Sequence, residues 1–234
     1  MKHTLPEIDP NGWIRSRGIK MPKDGLFVKG RVRGRLKREA YETGFTDGAL
    51  SAVKSGDRVL ELGSGLGFTT AHIARAYDLE ALRCYDGHPG VIAYAAAMLA
   101  TNGIFNADLM HGVLDKRRGR RAFYCVDPFL RSSLRPSSER TMQRITVPAV
   151  NAGQVFQHFR PTILLCDIEG SEVDVAEAAP LVMLDRALVR LNPDIIGDSG
   201  VARVFKAFAE AGLVYWPEVS VGTLVGFRKP AGRT

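Results

Sequence analysis

Cysteine is scarce in this chain of 234 residues, which holds three, at positions 84, 125 and 166. They are odd in number, far apart and in no Cys-x-x-Cys pair. That excludes a disulfide framework and a zinc site of that spacing, and it reads as buried apolar thiols in a reducing compartment. Long apolar runs are missing too. No stretch of about 18 apolar residues occurs, so no membrane span is expected. Met1–Pro10 has no apolar signal-peptide core, and a cytoplasmic location is the expectation. Internal repeats are absent. With 45% hydrophobic and 24% charged residues, whole-chain disorder is excluded, and the length suits one large domain.

The body of the chain also lacks net charge. Lys and Arg number 32 against 25 Asp and Glu, a formal charge of +7. Residues 1–40 hold 11 of the basic and 4 of the acidic side chains, whereas residues 41–234 hold 21 of each. The expectation is a basic N-terminal arm over 1–40, led by Lys29, Arg31, Arg33, Arg35, Lys37 and Arg38, on a single neutral domain over 41–234. Enzymes of nucleic acids usually spread positive charge around their cleft. A nucleic-acid partner for the arm is therefore the alternative reading, not the favoured one.

Short apolar runs alternate with amphipathic stretches from about Gly56 onward, the pattern of βαβ units. Strands are predicted at 58–62, 81–86, 108–111 and 162–167, the last apolar enough to be buried on both faces. Helices are predicted over 68–76, from Pro89 to Asn102-Gly103, and over 201–211, with two final strands at 213–216 and 223–228. Ser171-x-x-Asp174 reads as a capping box. Between Asp115 and Pro161 the sequence suggests a charged turn at 116–121 and a Ser/Arg/Pro-rich loop at 132–140. Asp127-Pro128-Phe129 reads as a turn.

The first strand ends in Gly63-Ser64-Gly65-Leu66-Gly67. A glycine-rich turn before a helix lets a ligand approach the backbone at the positive helix end. Phe68 stands where a dinucleotide fingerprint wants its third glycine. Glu61, two residues before the turn, would repel a pyrophosphate and attract an ammonium. Asp86, ending the second strand, can accept hydrogen bonds from both hydroxyls of a ribose. A ligand with an amino acid end, a ribose end and no phosphate fits S-adenosylmethionine better than a nicotinamide cofactor.

Val59–Thr69, Asp86-Gly87-His88-Pro89 and Asp167-Ile168-Glu169-Gly170-Ser171-Glu172 together resemble the motifs of FkbM-type class I methyltransferases, and Tyr41-Glu42 matches an upstream pair of that family. Arg190-Leu191-Asn192-Pro193 departs from the family's acidic residue followed by His-Pro. The resemblance covers roughly residues 40–228. It implies a Rossmann-like α/β fold: a mostly parallel seven-stranded sheet with an antiparallel last strand and helices on both faces. It also implies O-methylation of a sugar or natural-product hydroxyl, with a small-molecule or saccharide acceptor.

Asp167 and Glu169 stand at the C-terminal end of a predicted central strand, where open α/β sheets bind ligands. Two apart on an extended segment, both side chains would face the crevice. Asp167 is expected to hold the cofactor's methionine end or the acceptor, and Glu169 to act as base or orient the acceptor. For Glu172, Asp174 and Glu177 the favoured reading is a helix N-terminus complemented by negative charge. No dedicated metal-ligand spacing is present. Among the histidines, only His111 is expected near the crevice edge.

Overall fold

The computed structural model describes residues 12–126, 132–136 and 141–230. Seven strands form the main sheet: β3 (Arg58–Leu62), β4 (Ala81–Asp86), β5 (Asp108–His111), β9 (Ile163–Cys166), β10 (Arg186–Arg190), β11 (Val214–Val221) and β12 (Leu224–Arg228). Their order is β11-β12-β10-β9-β3-β4-β5. β9 lies parallel between β3 and β10, while β12 runs antiparallel to β10. Side chains alternate across the sheet with the period of two that strands impose. Val59, Ile163, Leu165 and Leu188 meet α2 (Thr43–Ala52) and α3 (Phe68–Ala76) on one face. Leu60, Leu62, Leu164, Cys166 and Val189 meet α5 (Ala152–Phe159), α6 (Glu172–Ala178) and α7 (Pro193–Glu210) on the other. The result is a Rossmann-like α/β sheet with helices on both faces. No helix among the described residues is long and apolar enough to cross a membrane.

Helix α7 begins eight residues before the predicted start. Gly197, at φ 66 and ψ 172, interrupts its helical geometry, which is why the apolar period becomes legible only from Val201. The segment 116–121 was expected as a turn, yet Arg120 and Arg121 belong to β7 (Gly119–Val126). β7 pairs with β8 (Thr141–Asn151), and β8 pairs in parallel with β6 (Val113–Asp115), giving a second sheet of three strands. Asp127-Pro128-Phe129 lies outside the described residues.

The basic segment does not stand apart from the domain between Gly12 and Leu36. The hairpin of β1 (Trp13–Ser16) and β2 (Ile19–Pro22) and the helix α1 (Gly30–Lys37) pack on the rest. Ile14, Ile19, Met21, Phe27, Val32 and Leu36 are buried with Leu66, Phe68, Val91, Tyr94 and Met98. Charge dominates the composition of this stretch, but its apolar side chains fall on one face and bury it. Asn102 locks the hairpin to the end of α4 (Pro89–Thr101), accepting from Lys20 N at 2.9 Å and donating to Lys20 O at 2.7 Å.

Candidate active site

β3 leads through α3 to β4 on one side, whereas β9 leads through α6 to β10 on the other. Adjacent strands whose connections depart in opposite directions leave a crevice at their C-terminal ends. A cleft of about 1080 Å³, counted out through its open mouth, lies there. Every residue expected at the site except Gly67 lines it: Glu61, Gly63, Ser64, Gly65, Asp86, Asp167 and Glu169.

The glycine turn is shaped by two different demands. Gly63 has φ +80, and a Cβ there would sit 1.8 Å from the Asp167 carbonyl oxygen, so the close approach of β9 requires glycine. Gly65 has φ +53 with open space around its would-be Cβ. Gly67 caps α3 in the left-handed region, against Met98 and Ala95. Asp86 organises the turn: its carboxylate accepts from Gly65 N at 3.0 Å and from His88 N at 2.8 Å. Glu61, 1% exposed at the cleft floor, accepts from Thr70 Oγ1 at 2.6 Å and from the Cys84 thiol. Of the histidines, His88 lines the cleft, whereas His111 contacts the Gly87 carbonyl at 3.1 Å. Phe123 of β7 covers Gly87, so the second sheet walls this end with Val113, Leu114 and Phe123.

At the other end the chain after β9 is not extended. Glu169 has φ 47 and Gly170 φ 96, so a turn, not strand alternation, carries Asp167 and Glu169 to the same cleft. Gly170 N donates to Glu172 Oε1, which also receives Asn192 Nδ2 at 2.7 Å. Glu172, the first residue of α6 and acidic in its first turn as expected, is also a buried brace for the turn after β9, 2% exposed. The capping box does not form. Ser171 makes no side-chain cap bond, and Asp174 pairs with Arg135.

Sequence reasoning gave no role to Arg190, whose Nη1 lies 2.7 Å from Asp167 Oδ2 and 3.2 Å from Glu42 Oε2. The noted Tyr41-Glu42 pair and the departure at Arg190–Pro193 were its signals: Tyr41 packs on Phe68 in the cleft wall, and Glu42 meets Arg190. Burial pushes the Asp167 carboxyl well up. Arg190 pulls it back, while Glu42, Glu169 and Glu172 add to the rise.

No protein-family model matches the chain, and no curated protein matches it. Among solved structures it is similar to the precorrin-6y C5,15-methyltransferase of Geobacter metallireducens GS-15, at 9% identity over 98% of this chain and 100% of that one, TM-score 0.49. It is similar to the ribosomal protein L11 methylase of Lactobacillus delbrueckii subsp. bulgaricus, at 11% identity over 80% and 78%, TM-score 0.46. For Trm5b of Pyrococcus abyssi the identity is 12% over 97% of this chain and 56% of that one, TM-score 0.49. The chemistry is therefore read from the cleft's own residues.

Five carboxylates, Glu42, Glu61, Asp86, Asp167 and Glu169, line the cleft against a single guanidinium, Arg190, among the described residues. With its raised carboxyls ionised, such a lining attracts cations and repels phosphates, and a bound cation draws them into that form. Burial raises Glu61 to about 7 and Asp86 to about 6, in spite of the hydrogen bonds each accepts. In the unfolded chain both lose their protons near pH ~4. The folded chain binds more protons in between, and Asp167, raised to about 8, carries the same sign further. These carboxyls lower stability as pH rises from about 4.5 to about 8, offset in part up to about pH 6.5 by His72, which burial lowers to about 4. Thermal melting of the ligand-free protein across that range checks this. A melting temperature that climbs between pH 5 and 7 would contradict it.

Proposed function

We propose that this chain is an S-adenosylmethionine-dependent O-methyltransferase of the FkbM type, acting in a reducing cytoplasm on a hydroxyl of a sugar or natural product. The observation that carries the reading is the acidic cleft around a glycine turn. A dinucleotide would bring two phosphates against five carboxylates, whereas S-adenosylmethionine brings an ammonium, a sulfonium and no phosphate. The lining also fits in detail. Ser64 Oγ and Asp167 Oδ1 are buried without a hydrogen-bond partner, a costly state that a polar ligand would relieve. Val91, Val113, Leu114 and Phe123 supply apolar walls for a base.

In this reading Asp86 holds the ribose hydroxyls, and its two backbone donors fix the carboxylate before the ligand arrives. Glu61 and Asp167 receive the amino acid end, and the backbone of Gly63, Ser64, Gly65 and Gly67 lets the ligand lie close. When bound, the cofactor supplies a methyl carbon activated by a positively charged sulfur. Arg190 and Glu42 keep Asp167 in place, and Glu169 takes the proton from the acceptor hydroxyl. Alignment and exclusion of water supply the remaining acceleration.

Calorimetric titration with S-adenosylhomocysteine and with NAD⁺ tests the reading. The first is expected to bind and the second not; the reverse order overturns it. Asp86→Ala is expected to weaken the S-adenosylhomocysteine complex by about 1–3 kcal/mol, the cost of leaving buried hydrogen-bonding partners unsatisfied. Because Asp86 also holds Gly65 N, melting curves accompany the titration. Unchanged affinity removes Asp86 from the ribose site.

A further inference from the structure

We propose that the basic N-terminal layer docks the phosphate backbone of a single-stranded RNA beside the cleft, so that the sugar hydroxyl presented to Glu169 is a ribose hydroxyl. This rests on the hydroxyl-acceptor reading and narrows its substrate class.

Residues 12–38 contain ten Lys and Arg against one acidic residue, Asp24. Asp24 is spoken for: its carboxylate accepts from Leu26 N and Phe27 N at 2.8 and 2.6 Å. Burial of Val32 and Leu36 fixes α1 so that Arg31, Arg33, Arg35 and Lys37 are all exposed. None of these four has a carboxylate partner among the described residues. In the hairpin, Arg15 lies directly opposite Lys20, a like-charge pairing that destabilises a ladder unless an anion sits over it. Next to that pair, Trp13 is 42% exposed with Lys20 Nζ 4.9 Å from its ring centre. A large exposed aromatic among cations is how single-stranded nucleic acids are held, by backbone neutralisation and base stacking.

The segment that carries α1 is tied to the cleft at both ends. Before it, Phe27 packs edge-on to His88, a lining residue, with ring centres 5.4 Å apart. After it come Tyr41 and Glu42, which line the cleft themselves. The helix between spans about 12 Å. Charge is therefore segregated: an acidic cleft, and a basic helix on the segment that runs into its wall, which attracts phosphates. A neutral hydroxyl on a polyanionic chain is the acceptor that fits both. The 2′-hydroxyl of an unpaired nucleotide is such a group.

Binding of a 20-nucleotide oligouridylate, measured by fluorescence anisotropy across a salt series without cofactor, tests the proposal. The quadruple variant Arg31→Gln, Arg33→Gln, Arg35→Gln, Lys37→Gln is expected to bind about tenfold or more weakly. Its salt slope should be shallower by about 3, since each single-strand phosphate contact contributes roughly 0.7. The charge-preserving variant Arg31→Lys, Arg33→Lys, Arg35→Lys is expected to bind like the parent, which separates charge from any effect on folding. No binding by the parent, or equal binding by the quadruple variant, overturns the proposal. Binding to phosphatidylglycerol vesicles without binding to RNA overturns it as well, and makes the helix a membrane contact. None of these readouts involves methyl transfer, so a failure of the transferase reading would show separately, in the cofactor titration.

Discussion

Gly63→Ala is expected to lower the melting temperature by about 10 °C or more, or to leave the chain insoluble, although it adds a single methyl group. An L residue at φ +80 carries a steric cost of about 1–2 kcal/mol. The larger cost is contact. The new carbon would lie 1.8 Å from the Asp167 carbonyl oxygen, and that atom is backbone, with no rotamer to retreat into. Asp167 N donates to Leu62 O at 2.9 Å, so the end of β9 recedes from β3 only by giving up that bond as well. Together these reach about 4 kcal/mol, the range reserved for a few named mechanisms, and about 2–4 °C accompanies each kcal/mol in a domain of this size. Gly65→Ala is the control. Gly65 has φ +53 and no atom within 4 Å of its would-be Cβ, so only the conformational cost of about 1–2 kcal/mol remains. Gly65 lines the cleft, however, and its N–H holds Asp86. Calorimetry should find a variant that melts near the parent and binds S-adenosylhomocysteine less well. If the two alanine variants melt alike, the close approach at Gly63 is not a rigid constraint.

That contrast explains what was readable in advance. The turn and Asp86 form a local signal, because a strand, three glycines and the end of the next strand are neighbours in sequence. β9 was equally plain, since a strand buried on both faces must be apolar throughout. The acidic end was harder. Arg190 and Glu42 are separated by 148 positions, and no spacing rule spans that distance. The placement of Glu169 came from a different geometry than expected, a left-handed turn instead of continued strand. The second sheet was hidden by its own composition. β7 opens on Gly119, Arg120 and Arg121, and β8 contains Pro148 opposite Arg120, where a proline argues against a strand. α1 was hidden in the same manner. Gly30 and Gly34 depress helix propensity, and the i, i+4 pair of Val32 and Leu36, which decides its packing, is outnumbered by cations.

Glu169→Gln is expected to lower kcat by about 10²–10⁴, the range for removal of a general base, while S-adenosylhomocysteine affinity changes little. The substitution keeps the shape of the side chain and the left-handed turn that carries it, and it removes the capacity to hold a proton. Asp167→Asn is expected to act differently. The Asp167 carboxylate engages Arg190 at 2.7 Å, so an amide there weakens an ion pair inside the cleft and leaves Arg190 to Glu42 and Glu169. A change that disturbs how ligands are held raises KM, whereas one felt only in the transition state lowers kcat. Asp167→Asn should therefore weaken S-adenosylhomocysteine binding, and Glu169→Gln should not. A pH profile adds a readout independent of folding. A general base shows itself as an ascending limb of kcat; with Glu169 in that role the limb should vanish in Glu169→Gln while persisting in Asp167→Asn. If Glu169→Gln turns over at the parental rate and Asp167→Asn loses the ascending limb, the proton goes to Asp167, whose basicity burial raises and Arg190 restrains.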